Sequence, residues 1–171
     1  FCWAKKHSSK EWDHVLTLGR QSVILHPWEV KDWSKRAASK GPFDRFTGRA
    51  DDASAGEELL SQLGSKNVHT MDFSPYEGAT VIHNLNDPVP HHHHLKYDVV
   101  FDGGTLEHVF DYPTALRNAM SMVTPGGWFF ASTPSNMWCG HGFYQFSPEI
   151  FRSVMSESNG FSLELMAFAL E

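Results

Sequence analysis

The sequence predicts an α/β fold: a three-layer sandwich with a mainly parallel sheet and helices on both faces. Three observations carry this. Short apolar runs alternate with segments of helical character along the 171 residues, the order that generates βαβ units. The runs VVF (99–101) and WFF (128–130) are continuously apolar rather than alternating, as expected of strands covered on both faces. The apolar runs also end in Gly, Asp, Asn or Thr, the residue types that such a sheet displays where ligands bind.

HVLTLG (14–19) reads as a buried strand closed by glycine. In ILHPWEVKDWSKRAASKG (24–41), Pro27 suits a first helical turn, Trp28 and Trp33 are apolar anchors, and Gly41 is a stop. GPFDRFTGRADDAS (41–54) is loop-like. AGEELLSQLG (55–64) is a helix with Leu59, Leu60 and Leu63 on one face and Gly64 as its C-cap. NVHTMDFS is a second strand ending at Asp72, and ATVIHNLN (79–86) a third, with Pro88 and Pro90 forbidding helix directly after it. KYDVVFDGG is the fourth strand.

PTALRNAMSMV (113–123) carries Ala115, Leu116, Ala119, Met120 and Val123 on one helical stripe. TPGG is a turn and WFFASTP (128–134) the fifth strand. SPEIFRSVMSESNG (147–160) is a helix with Ser147 at its cap, Pro148 at its first position and Gly160 at its end. FSLELMAFAL (161–170) alternates as a sixth strand would. Residues 1–171 read as one domain. The chain starts at Phe1 and ends at Glu171 inside an apolar pattern, so it is expected to be a fragment truncated after that sixth strand, with other domains as partners.

Composition narrows the function. A hydrophobic content of 41% and a charged content of 20% are those of an ordinary globular protein. A net charge of −6 argues against a nucleic-acid or anionic-membrane partner, which calls for a basic face. No apolar run approaches the roughly 18 residues of a membrane span, and no secretory signal pattern is present. Two cysteines, Cys2 and Cys139, form neither a disulfide framework nor a C-x-x-C pair. The expected setting is cytoplasmic.

The strand ends form a polar rim: Gly19, Arg20 and Gln21; Asp72; Asn84 and Asn86; Asp102, Gly103, Gly104 and Thr105; Thr133, Pro134, Ser135 and Asn136. In an open parallel sheet these positions converge on one crevice. The segment FDGGTLEHVFDYPTALRNAMSMVTPGGWFFASTP, with Asp72 ending strand two and VLTLG in strand one, resembles the class I S-adenosylmethionine-dependent methyltransferases. The L-E-H start and P-G-G turn carry the resemblance, which spans roughly residues 15–134. It implies a Rossmann-like sheet, S-adenosylmethionine as cofactor, and Asp72 as the ribose-binding acid. In the same reading Asn84 faces the adenine, and Gly19, Asp102, Gly103, Gly104 and Thr105 line the cofactor. Thr17 stands where the family usually has an acid, and Arg20 and Gln21 stand where glycines are usual. Arg20 is then expected at the carboxylate of the cofactor's methionine part. Roughly fifty residues separate strands one and two, more than βα and αβ loops ordinarily need.

GHGFYQF (140–146) sets His141 between two glycines after strand five. An imidazole that titrates near neutrality suits a general base there, with His108, Asn136, Tyr144 and Gln145 as acceptor-binding residues. Glu107 and His108 read equally as a helix start, Glu107 being favoured by the helix dipole. The tract HHHH (91–94) reads as a solvated loop, because neighbours in an extended segment face opposite ways and cannot share one ion; no metal is assigned. Cys139 reads as a small buried residue. The function expected is methyl transfer from S-adenosylmethionine to a small-molecule or glycan-type acceptor. The alternative is a non-catalytic methyltransferase-like module that has lost productive cofactor binding. A nucleotide-binding oxidoreductase is disfavoured by the absence of G-x-G-x-x-G after strand one.

Overall fold

The computed structural model describes residues 2–21 and 55–168. The helix and loop expected over 24–54 lie outside the described residues. Helix α1 (Cys2–His7) leads into strand β1 (His14–Leu18), and α2 (Ala55–Gln62) into β2 (Asn67–Asp72). Strands β3 (Val81–Ile82) and β4 (Tyr97–Asp102) follow, then helix α3 (Tyr112–Met122), β5 (Val123–Ala131) and α4 (Pro148–Val154). Short 3-10 turns occupy His91–His93, Leu106–His108 and Glu157–Asn159.

All five strands are parallel, in the order β3-β2-β1-β4-β5. The order reverses between β1 and β4, where Leu18 is flanked by Met71 on one side and Asp102 on the other. The architecture is therefore the expected Rossmann-like α/β sandwich. Its two apolar faces are distinct. Leu16, Leu18, Met71 and Val100 pack under α3, which contributes Ala115, Leu116, Ala119 and Met122. Val15 and Val99 pack with Ala4 of α1, Trp12 and Leu60 of α2. Burying a side chain such as Leu16 or Val100 contributes about 1.5–3 kcal/mol, so both faces matter to stability.

Local chemistry sets the boundaries. Asp111 caps α3 by accepting from the Thr114 N–H at 3.2 Å, and Pro113 sits in the first turn. The buried Asn118 of α3 accepts from the Val89 N–H and donates to the Leu85 and Asp87 carbonyls, which ties the loop before β4 to this helix. Helix α2 ends at Gly64, φ +99°, with Ser65 N–H returning to the Leu60 carbonyl at 3.1 Å. Ser147 caps α4, which ends at Val154 rather than at the expected Gly160; Gly160, at φ +77°, closes the separate 3-10 turn Glu157–Asn159.

Several expectations need correction. The L-E-H segment is a 3-10 turn, and the α-helix starts later, at Tyr112, where Asp111 supplies the cap. The P-G-G turn lies inside β5: Tyr97 pairs with Val123 and Val99 with Trp128, so Thr124–Pro125–Gly126–Gly127 bulge out of the ladder. Strand β3 is only two residues long. Among the described residues of the expected sixth strand, 161–168 have no regular structure. Their alternation supplies a strand's side-chain pattern, but a strand also needs a neighbour's hydrogen bonds. This segment lines the far side of a groove along β5 without pairing to it. Cys139 is exposed rather than buried. In the histidine tract, His91, His92 and His94 are exposed as expected of a solvated loop, while His93 is buried. Among the described residues, no helix is long and apolar enough to cross a membrane.

Candidate functional site

Gly19 ends β1 at φ +67° with its N–H bonded to the Met71 carbonyl at 2.8 Å. A Cβ there would strike the Thr105 hydroxyl, so both the conformation and the close approach require glycine. Thr105 Oγ1 donates to the Leu18 carbonyl at 2.7 Å, which ties the turn after β4 to the end of β1 across the switch point. Gln21 adds a second tie: its Nε2 donates to the Leu18 carbonyl at 2.7 Å, and its amide oxygen lies where a Cβ on Gly103 would fall. Gln21 therefore covers Gly103.

Behind this turn sit two buried acids. Asp102 is fully buried, and its Oδ1 accepts from the N–H groups of Thr105 (2.8 Å), Leu106 (3.2 Å) and Gly104 (3.3 Å). That single oxygen shapes the turn, while Oδ2 has no partner among the described residues. Burial pushes the Asp102 carboxyl up to about 7; the backbone N–H bonds oppose this and the neighbouring Glu107 charge adds to it. Glu107 is 1% exposed, and its Oε2 also lacks a partner among the described residues. The Tyr112 hydroxyl is buried in the same region without a partner among the described residues. Burial, then the charges of Asp102 and Glu107, hold its ionisation well above the ordinary tyrosine range.

The GHGFYQF loop docks on Glu107. Its carbonyl accepts from the N–H groups of Phe143 (2.8 Å) and Tyr144 (3.3 Å), and a Cβ on Gly142 would press on that carbonyl and on the Glu107 side chain. This docking brings His141 Nε2 to 3.5 Å from Glu107 Oε1, with His108 Nε2 at 4.0 Å from the same oxygen. The His141 ring stands edge-on to those of His108 and Trp138, centroids 4.9 and 4.8 Å away. Both imidazoles are partly exposed, about 40% and 45%. Chemically, the group is a buried carboxylate facing solvent through two imidazoles.

The remaining candidates fall into two sets. Asn136 and Trp138 line the same groove as Gly103, Gly104, Glu107, His108 and His141. Tyr144 and Gln145 shape the loop from within: the Tyr144 hydroxyl donates to the Phe110 carbonyl, and Gln145 Oε1 accepts from the Trp138 N–H at 2.9 Å. Asp72 lies at the end of β2, beside β1, with Oδ1 accepting from the Ser74 N–H at 3.2 Å; its Oδ2 accepts from no described residue. Asn84, after β3, is engaged locally with Asn86 and Asp87. Arg20 pairs with Glu57 at 3.1 Å and donates to the Glu77 carbonyl at 2.6 Å, so it is held towards α2.

Tyr112 of this site is not singled out by the sequence; Gln21 enters there only as part of the strand-end rim, and Glu107 as a helix start or a pocket residue. An acid between Leu106 and His108 was visible, but a helix start explains it equally well. Only the docking of residues 140–146 on Glu107 reveals that the carboxylate is buried.

No protein-family profile matches the chain, and no curated protein matches it. Among solved structures, one similar to it is the trans-methyltransferase CalH in complex with SAH, 14% identical over 75% of this chain and 33% of that one, with a TM-score of 0.40. The chain thus spans about a third of that protein's length. The Rossmann-like assignment stands on this chain's own parallel sheet and strand order.

Proposed function

We propose that this chain is an S-adenosylmethionine-dependent methyltransferase domain acting on a small-molecule or glycan-type acceptor. One observation carries the reading: Gly19, Asp102, Gly103, Gly104 and Thr105 meet at the reversal of strand order, with Asp72 one strand away. A crevice at that reversal, beyond the carboxyl ends of the strands, is where α/β sheets bind nucleotide-like ligands. The residues fit the cofactor. Asp72 retains a carboxylate oxygen with no described partner, suited to the ribose hydroxyls. Gly19 lets the backbone approach the ligand without a Cβ. Gln21 has to leave Gly103 for a ligand to reach it.

The cofactor, when bound, supplies an electrophilic methyl group on a sulfonium. The chain's task is then to position the acceptor and remove its proton. His141 is the candidate base. Glu107 Oε1, 3.5 Å from its Nε2, would stabilise the imidazolium that forms. His108, Asn136, Tyr144 and Gln145 would shape the acceptor side.

A second reading, a non-catalytic module of the same fold, is favoured by Gln21 covering Gly103 and by Arg20 being tied to Glu57 and the Glu77 carbonyl. Calorimetric titration with S-adenosylmethionine and S-adenosylhomocysteine separates the two. The enzyme reading expects micromolar binding, about −8 kcal/mol, and a loss of roughly 1–3 kcal/mol in Asp72→Ala, as for removal of a charged hydrogen-bond acceptor. Absence of binding would leave the non-catalytic reading. Unchanged affinity in Asp72→Ala would refute the role given to Asp72.

A further inference from the structure

We infer that Glu107, His108 and His141 form a binding site for one divalent transition-metal ion, with coordination positions left open to the groove. The inference depends on these three side chains alone and not on the cofactor reading above.

The geometry comes first. One ligating atom from each residue lies within 4.8 Å of the others, and Glu107 Oε1 is 3.5 Å from His141 Nε2 and 4.0 Å from His108 Nε2. Donors bound tetrahedrally at about 2.0–2.2 Å lie roughly 3.4 Å apart. The observed spacings run from 3.5 Å to as much as 4.8 Å, so an ion has to draw the donors together by up to about 1.4 Å; the two rings that must close this gap are half-exposed, whereas the carboxylate is fixed. Gly104 keeps space open beside the carboxylate: a Cβ there would come within 3.2 Å of Glu107 Oε1.

The burial of the Glu107 carboxyl is the second, independent observation. Glu107 is 1% exposed, its Oε2 has no hydrogen-bond partner, and no Lys or Arg pairs with it among the described residues. A buried carboxylate needs a compensating charge. Among the described residues, the side chains paired with the Glu107 carboxyl are two imidazoles, which are also the commonest metal ligands.

The donor set selects the ion. Two imidazoles and one carboxylate suit zinc and its first-row neighbours rather than magnesium or calcium, which favour all-oxygen shells. Three protein ligands leave at least one position for water or an acceptor oxygen, the arrangement of catalytic rather than structural sites. An ion on His141 Nε2 occupies the lone pair that a general base needs. An acceptor hydroxyl held on the ion would instead have its pKa lowered and release its proton to solvent water, without His141 as the base.

The histidine tract is the competing zinc ligand, so the test is run in a chain carrying His91→Asn and His92→Asn, both exposed positions in the 3-10 turn before β4. Zn²⁺ is titrated into this chain after chelator treatment, and Co²⁺ is followed by its visible absorption. The inference expects one equivalent bound with micromolar or tighter affinity, a Co²⁺ spectrum of low coordination number, and no displacement by excess Mg²⁺. His141→Ala, in an exposed loop, should weaken Zn²⁺ at least tenfold and abolish the Co²⁺ band; His108→Ala and Glu107→Gln should act in the same direction. Loss of binding on replacing the tract would assign the metal to the tract and overturn the inference. So would unchanged stoichiometry and affinity in His141→Ala. If Glu107→Gln does not fold, the His141 and His108 variants decide. S-adenosylhomocysteine titration of the same proteins reads the cofactor proposal separately, so either can fail alone.

Discussion

Replacing Asp102 with Asn should remove a specific pH dependence from folding stability. The carboxyl is fully buried; its Oδ1 accepts three backbone N–H bonds and Oδ2 accepts none from the described residues. Burial raises it from its ordinary 3.8 to about 7, so the folded chain retains a proton that the unfolded chain releases. Stability from this group is fully present below about pH 3.8, declines from there towards pH 7, and is gone above the folded value. At about 1.4 kcal/mol for each pH unit over which the proton is retained, the decline amounts to roughly 4 kcal/mol. An Asn keeps the oxygen that accepts the three N–H bonds and cannot ionise. Urea unfolding of parent and Asp102→Asn between pH 4.5 and 8, with EDTA present, isolates the effect. His69 and His93, whose pKa values burial lowers, contribute equally to both proteins and cancel in the difference. The parent should lose several kcal/mol relative to the variant as pH rises, with the gap flat above about pH 7.5. Parallel curves would refute the reasoning, because they would mean that Asp102 ionises in the fold as easily as in water.

Two further outcomes follow from the same cluster. Gln21→Ala uncovers Gly103 and removes a hydrogen bond that ligand entry has to break, so S-adenosylhomocysteine should bind roughly two- to tenfold tighter, corresponding to about 0.5–1.5 kcal/mol; calorimetry showing equal or weaker affinity would mean that Gln21 is no obstacle. Tyr112→Phe deletes a buried hydroxyl with no described partner and should be neutral to stabilising by up to roughly 1–3 kcal/mol in urea unfolding. A loss of more than about 1 kcal/mol would show that the hydroxyl is bonded to the buried acids.

The parts of this fold that were legible in sequence are those governed by local chemistry. Gly64 closes α2 because the left-handed backbone suits glycine there, and Ser147 caps because its hydroxyl reaches a free N–H two residues on. The stripe Ala115, Leu116 and Ala119 faces the sheet as its spacing requires. Where local and distant preferences compete, the sequence reading failed. Residues 161–168 carry a strand's alternation but pair with no strand, since ladder partners are supplied from outside the segment. The L-E-H segment looked like a helix start because an acid beside a helix N-terminus is favourable; Asp111 took that position instead, and left Glu107 to be buried.

The candidate site divides along the same line. Gly19, Asp102 and Thr105 were readable because a strand end constrains its own turn: Asp102 accepts from N–H groups two, three and four residues on. His141 was readable as a histidine between glycines, but its partner was not. The contact joins residues 107 and 141, and no spacing rule links positions so far apart. It exists because Gly142 lets the loop backbone come against the Glu107 carbonyl. A side chain at 142 would push the loop away and take His141 with it. Gly142 thus sets the distance between an imidazole and a buried carboxylate, and that distance decides whether the pair serves as base and counter-charge or as two ligands of an ion.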